Sequence, residues 1–253
     1  MKYLFSLAAI GALLLGISSS ARAQSEVTLL APNPIRGALD KVAPGFDGKT
    51  DYKLKLTYGR GMGTRDQIAR GEMFDVSILL PPYPEALASG NIDPKSATTL
   101  ARLTLALGVK KGAPKPDIST PEALKQTLLA AGTIAYVDPK VGSDGFATQA
   151  AIDKLGIADQ IKSKAKLSAT SRAVGNTVAQ GEAELCIYYL NEMDNPGLDV
   201  VGRLPQQIST PLEVVAFIST HAKNAKAAAA LVGYLTSPDA EASYEKDGLE
   251  RAH

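Results

Sequence analysis

Apolar and polar positions along the chain fall into two successive series of short strands and helices. Val27-Thr-Leu-Leu-Ala31 is a β-type run, and the residues after it, Gly37 to about Phe46, are spaced as a helix with Leu39 and Val42 on one side. Tyr52 to Tyr58 alternates apolar and polar residues, Gly59-Arg-Gly-Met-Gly63 turns the chain, and Thr64 to Arg70 has helical spacing. Phe74 to Leu80 and Leu103 to Val109 are mostly apolar, as buried parallel strands are. Beyond the Pro-rich stretch Lys111 to Asp117, Ser119-Thr120-Pro121-Glu122 starts a helix, with hydroxyl caps, a first-turn proline and a carboxylate at the positive dipole end. The second series has strands at Thr133–Val137, Leu185–Leu190 and Glu213–Ser219 and helices at Gly145–Leu155 and Ser171–Gln180. Two helices close the chain, the second capped by Ser237 ahead of Pro238.

This alternation predicts an α/β protein of two lobes, each a mainly parallel sheet flanked by helices. Ligands on such sheets bind beyond the carboxyl ends of the strands, where loops lead into helix N-termini. Four loops therefore matter: Pro32–Arg36, Gly59–Arg65, Asp138–Gly145 and Tyr188–Glu192.

In the first loop Asn33 can cap the following helix, and Arg36 falls in its first turn, where a cation opposes the helix dipole. Such a broken preference points to a ligand contact, the alternative being a solvated surface arginine. In the second, Gly59, Gly61 and Gly63 let backbone N–H groups approach an anion, with Arg60 and Arg65 alongside; three glycines also make a plain flexible turn. The loop matches neither a P-loop nor a dinucleotide fingerprint. The third sets Ser143 and Asp144 at a helix N-terminus, as caps or as ligand contacts. In the fourth, Tyr188 and Tyr189 are adjacent on a strand and face opposite ways, so one is core and the other is free to reach a cleft. Arg172, at another helix start, joins the candidates for the same dipole reason, and Cys186 reads as a small buried hydrophobe.

Composition narrows the chemistry. The 253 residues carry 27 Lys+Arg against 26 Asp+Glu, with no long run of one sign, so nucleic acid is not an expected partner. One cysteine and two histidines, His221 and His253, cannot build a disulfide framework or a Cys/His zinc cluster, and no metal or cofactor is implied. Residues 1–23 read as a secretory signal peptide: Lys2 is the positive start, Leu4 to Ile17 the apolar stretch, and Ala21-Arg22-Ala23 the cleavage site. That stretch is shorter than the ~20 residues a bilayer span needs. The expectation is a soluble periplasmic protein beginning at Gln24, and any anion site in it is built locally.

The ordered set of Val27–Ala31 leading to Ala38-Leu39, Gln67-Ile68-Ala-Arg-Gly71 before Phe74-Asp75-Val76, Gly181-Glu-Ala-Glu184 before Ile187-Tyr-Tyr189, and Val201-Gly-Arg-Leu-Pro205 resembles the periplasmic molybdate-binding proteins and their type 2 solute-binding relatives. Leu235-Thr-Ser-Pro238 and Gly248-Leu249-Glu250 fit the same pattern. The resemblance implies a two-lobed type 2 periplasmic binding protein fold with the ligand in the cleft between lobes. One lobe would be 24–102 plus 217–253, the other 103–216. It also implies a tyrosine aimed at the ligand, at Tyr189. The two serines with which molybdate binders hold the oxyanion fall on Pro34 and Gly61, so both hydroxyls are missing. Pro34 also lacks an N–H, while Arg36, Arg60 and Arg65 have entered the same loops. Guanidinium groups match planar carboxylates in bidentate pairs, which favours an organic di- or tricarboxylate over molybdate.

Two functions follow from the resemblance. The first is a periplasmic solute-binding protein that delivers a small anionic ligand, a di- or tricarboxylate, to an inner-membrane transporter permease. Lobe closure needs only differential affinity and no chemical step. The alternative is a periplasmic isomerase of the aconitate isomerase type, which makes an allylic proton shift on a tricarboxylate. Here Asn33, Arg36, Arg60, Gly61, Arg65, Ser143, Arg172 and Tyr189 would bind the ligand, and Tyr189, Asp144 or Glu192 would handle the proton. A carboxylate in the cleft with a raised pKa supports the enzyme; a cleft of arginines and neutral donors alone supports the carrier.

Overall fold

A computed structural model describes residues 25–59 and 63–252; the leader at 1–23, Arg60, Gly61 and His253 lie outside the described residues. The chain opens with β1 (Ser25–Pro32), a 3₁₀ turn at Asn33–Ile35, α1 (Arg36–Lys49), β2 (Tyr52–Gly59), α2 (Gly63–Ala69), β3 (Val76–Leu79) and α3 (Pro84–Ala88). It continues through β4 (Thr98–Leu103), β5 (Leu105–Lys110), α4 (Pro121–Ala130), β6 (Ile134–Val137), α5 (Ser143–Lys154), α6 (Ala158–Lys162), β7 (Ala165–Ser168), α7 (Ser171–Ala179) and β8 (Leu185–Tyr189). The last elements are β9 (Leu198–Arg203), β10 (Leu212–Ile218), α8 (Ala225–Leu235), α9 (Pro238–Lys246) and β11 (Glu250–Arg251).

These strands form two sheets, a six-stranded one in the order β11-β4-β10-β3-β1-β2 and a five-stranded one in the order β7-β6-β8-β5-β9. Each is mixed where the sequence predicts mainly parallel pairing. β2-β1-β3 and β7-β6-β8 are parallel, as the intervening helices require, whereas β10 and β5 run against their neighbours. The antiparallel strands are those next to the crossings between sheets, where the chain arrives without a βαβ connection.

The apolar run Leu103–Val109 is one strand by sequence and two in the structure. Thr104 separates β4, in one sheet, from β5, in the other. All of β10 pairs in the six-stranded sheet, so the chain re-enters that sheet by Leu212, ahead of the boundary at Phe217 expected from sequence. The first crossing is pinned at its buried threonine, whose hydroxyl donates to Glu250 Oε1 at 2.9 Å and whose carbonyl accepts from Leu190 N at 2.9 Å. Arg203, at the end of β9, pairs with the same Glu250 oxygen, so one carboxylate on β11 ties both crossings together.

Each sheet is covered on both faces. In the six-stranded sheet Leu29, Ile78 and Ala216 pack with Leu39, Phe46 and Leu231, while Leu30, Leu79 and Phe217 meet Ile68 and Ala86. In the five-stranded sheet Leu107, Ile187 and Tyr189 pack with Leu124 and Ile152; Cys186 and Tyr188 meet Val174 and Val178 of α7 on the other side. Cys186 is fully buried, and burial pushes its thiol up to about 12, which suits a packing role. Replacing Glu250 with Ala removes the shared acceptor at both crossings; urea unfolding is expected to register a loss of about 1 kcal/mol, modest because Arg203 is half-exposed.

Candidate functional site

Three helices begin at one crevice between the two sheets. α1 starts there with Arg36, α5 with Ser143 and α7 with Ser171, and the 3₁₀ turn Leu190–Glu192 after β8 closes the fourth side. The crevice has a volume of about 380 Å³. Asn33, Pro34 and Arg36 line it from the first sheet's side; Gly142, Ser143, Asp144, Thr170, Ser171, Arg172 and Glu192 line it from the second. The two sides touch at the rim, where Asn191 Nδ2 donates to the Pro34 carbonyl at 2.6 Å. A larger hollow, of about 720 Å³, lies between the end of β5 and α4, but Pro114, Pro116, Ala130 and Leu185 make it apolar. Its one carboxylate, Glu184, accepts from the Gly132 N–H, and Lys110 is its single cation; among the described residues no helix N-terminus of eight or more residues opens into it.

Local sequence explains why the helix ends point inward. α7 is capped by Thr170, which accepts from Ala173 N at 3.2 Å, and this leaves the next hydroxyl, Ser171, free to face the crevice. α5 has Gly142 at its cap position and no side-chain cap bond, so its first-turn N–H groups stay directed at the cavity. Its first turn lies hard against the end of β6: a Cβ at Gly145 would stand 2.2 Å from the Val137 carbonyl oxygen, and only glycine fits. α1 likewise has no side-chain cap and no acid in its first turn.

The cationic residues divide. Arg36 is exposed at the rim, its guanidinium 4.2 Å from the centre of the Tyr58 ring, and the Tyr58 hydroxyl donates to Asp40 Oδ1 at 2.6 Å. Arg172 is exposed on the opposite wall. Among the described residues neither forms an ion pair, so both charges are open to a ligand. Arg65 is not on the wall: its guanidinium is turned to the Pro82 carbonyl and its side chain is mostly buried there. A backbone acceptor within reach has captured it.

The acidic residues give the crevice its chemistry. Ser171 Oγ stands 2.8 Å from Asp144 Oδ2 and 2.9 Å from Glu192 Oε2. A hydroxyl has a single proton, so Ser171 can donate to one carboxylate only; the other carboxyl must keep its own proton and donate to Oγ. Burial raises the pKa of Asp144, against the pull of Ser171 and the backbone N–H groups at the start of α5. Burial first, and the Asp144 charge second, push Glu192 up to about 7, with Asp194 and Asp247 adding to the repulsion. Near neutrality the pair therefore holds one proton between two acids.

Both Tyr188 and Tyr189 are fully buried, on opposite faces of the sheet. Tyr189 adjoins Ser143, and the two buried hydroxyls face each other with no other hydrogen-bond partner among the described residues. Burial, and then the charge of Asp144, raise the Tyr189 pKa well above its ordinary value, so it stays a neutral donor. The reading that one tyrosine is core and the other reaches the cleft is thus corrected: strand β8 is covered on both sides. Ser171 is the residue that sequence reasoning missed, because Thr170-Ser171 reads as an ordinary helix cap.

The architecture is that of a type 2 periplasmic binding protein, two sheet-and-helix lobes with a polar crevice where helix N-termini converge. Residues 27–250 match the bacterial extracellular solute-binding protein family, and the chain belongs to it. Over 251 residues it is 33% identical to an aconitate isomerase from Pseudomonas sp., covering 96% of this chain and 95% of that one. It is 28% identical to the molybdate-binding protein of Azotobacter vinelandii, over 92% of this chain and 91% of that one. The solved structure of the A. vinelandii periplasmic molybdate-binding protein superposes with a TM-score of 0.71 at 19% identity, covering 90% of this chain and all of that one. Among the described residues no helix is long and apolar enough to cross a membrane.

Because Glu192 titrates higher when folded than the ordinary 4.5, the folded protein holds a proton that the unfolded chain releases between those values. The contribution of Glu192 to stability is then greatest below about pH 4.5, falls as pH rises toward 7 and levels off above it, by up to about 3 kcal/mol. Urea unfolding at about pH 5 and about pH 8 is expected to show this fall in the wild type and a smaller one in Glu192→Gln. Gly145→Ala is expected to lose about 1–3 kcal/mol, since the start of α5 must move off Val137.

Proposed function

We propose that this protein is an isomerase of the aconitate isomerase type, moving a proton across the allylic system of a tricarboxylate in the crevice between its lobes. The observation that carries the reading is the Asp144–Ser171–Glu192 contact, which sets one carboxylic acid and one carboxylate in the same cavity at neutral pH. A binder needs neither; an allylic shift needs both. The 33% identical relative carrying that activity supports it as well.

In this reading Arg36, Arg172 and the starts of α5 and α7 hold the substrate's carboxylates, with Ser143 as a neutral donor and the covered Tyr189 hydroxyl beside it. Arg60 and Gly61 stay with the first-lobe loop that the sequence nominated; Asn33 borders the ligand, and Arg65 is left out. The methylene C–H bond breaks toward the carboxylate of the pair, and its electrons spread into the conjugated acid as a dienolate. The carboxylic acid of the pair then delivers its proton to the far carbon. The double bond moves by one position, nothing is oxidised, and the guanidinium groups offset the charge that builds on the substrate. The protein would work in the periplasm, exported by the leader at 1–23.

The second reading, a carrier for a small organic anion that docks on an inner-membrane permease, is favoured by the binding proteins among its relatives. One experiment separates the two. Purified protein is incubated with cis-aconitate, trans-aconitate, citrate, sulfate and molybdate, with proton NMR for conversion and thermal unfolding for binding. The isomerase reading expects interconversion of the two aconitates, a fall in kcat of at least about 100-fold in Glu192→Gln, and a KM raised about tenfold or more in Arg172→Ala. Stabilisation by an acid without conversion selects the carrier, and stabilisation by molybdate alone overturns the organic-acid ligand.

A further inference from the structure

Resting on the isomerase reading, we propose that Ser171 is the proton relay of this site, a positioning residue whose hydroxyl passes a proton between Glu192 and Asp144 and so restores the acid–base pair after each turnover. Among the described residues it is the one side chain hydrogen-bonded to both carboxyls, at 2.8 and 2.9 Å. The contact lies on the wall of the cavity, which Ser143, Asp144, Ser171 and Glu192 all line, with the exposed Arg172 guanidinium beside it.

The need for a relay follows from the reaction. An allylic shift leaves the former base protonated and the former acid ionised, the wrong way round for another turnover in the same direction. Ser171 corrects this without a net change of atoms. The protonated carboxyl gives its proton to Oγ, breaking its O–H bond, while the proton already on Oγ moves to the ionised carboxylate. The resting arrangement is set by the surroundings. Asp144 lies in the first turn of α5, where its own and the Gly145 N–H favour its anion. Glu192 keeps the proton because of burial and the Asp144 charge, with Asp194 and Asp247 adding to the repulsion. Arg36 and Arg172 on the walls, and the neutral Tyr188 and Tyr189 hydroxyls nearby, complete the charges facing the pair.

The test compares the full-length wild type with Ser171→Ala and Ser171→Thr. Loss of the hydroxyl is expected to lower kcat for aconitate about 100-fold while KM stays within about twofold, and threonine is expected to restore most of the rate. Carbon-13 NMR of the Asp and Glu carboxyls, between about pH 4 and about pH 9, reads the shared proton without turnover. In the wild type the Asp144 and Glu192 signals are expected to move together in the same steps, and in Ser171→Ala to be coupled more weakly, by their direct repulsion alone. A Ser171→Ala enzyme with wild-type kcat overturns the relay and leaves the isomerase intact. Independent titration of the two carboxyls in the wild type also overturns the relay. If the wild type converts neither aconitate, the isomerase reading and the catalytic relay fall together, and coupled NMR titration would then show a shared proton alone.

Discussion

Three helix N-termini meet at one small volume and set a positive potential there, which the Thr170 cap on α7 and the Asp144 carboxyl on α5 answer only in part. α1 and α5 have no side-chain cap bond, and the cap of α7 is made one residue before the serine that faces inward. A crevice of this kind favours negative charge, yet the chain supplies its own acids, Asp144 and Glu192, within reach of one hydroxyl. Two buried carboxylates so close repel each other, and the arrangement persists because one of them keeps a proton. The helix ends favour an anion, and burial beside them raises the pKa of both acids.

Among the described residues that line it, the first-lobe side of the crevice carries no hydroxyl. Pro34 offers a carbonyl at the rim, and Asn191 has taken it. Where a neutral hydroxyl would hold a tetrahedral oxyanion, the first lobe instead presents Arg36, held flat on Tyr58 and free of any carboxylate partner among the described residues. The two lobes each contribute one guanidinium to the crevice, Arg36 and Arg172.

Much of this was legible in the sequence, for physical reasons that differ by element. The units β1–α1 and β6–α5 stand out because an apolar run, a polar loop and a helix-spaced stretch follow in order, and such units always bring the loop to the end of a sheet. For the same reason Arg36, Ser143, Asp144, Arg172 and Glu192 can be nominated without coordinates. The break at Thr104 is invisible because a buried threonine inside Leu103–Val109 interrupts neither hydrophobicity nor strand propensity. β9 is half-exposed and mixed in character, and β11 has two residues, so neither carries a pattern. Arg65 was misdirected by proximity in sequence, since a backbone carbonyl seventeen residues on competes for its guanidinium. Ser171 was hidden by its own ambiguity: a hydroxyl at a helix start satisfies a capping rule whether or not it also touches two acids from distant segments.

The bond from Asn191 to Pro34 has a mechanical meaning. It is a latch between the halves, and the residue after Asn191 is Glu192, whose proton is held in place chiefly by exclusion of water. Parting the halves breaks the latch and wets the acid, which then ionises as any surface glutamate does. Any separation of the halves would therefore release a hydrogen ion, which a pH indicator in weakly buffered solution would register.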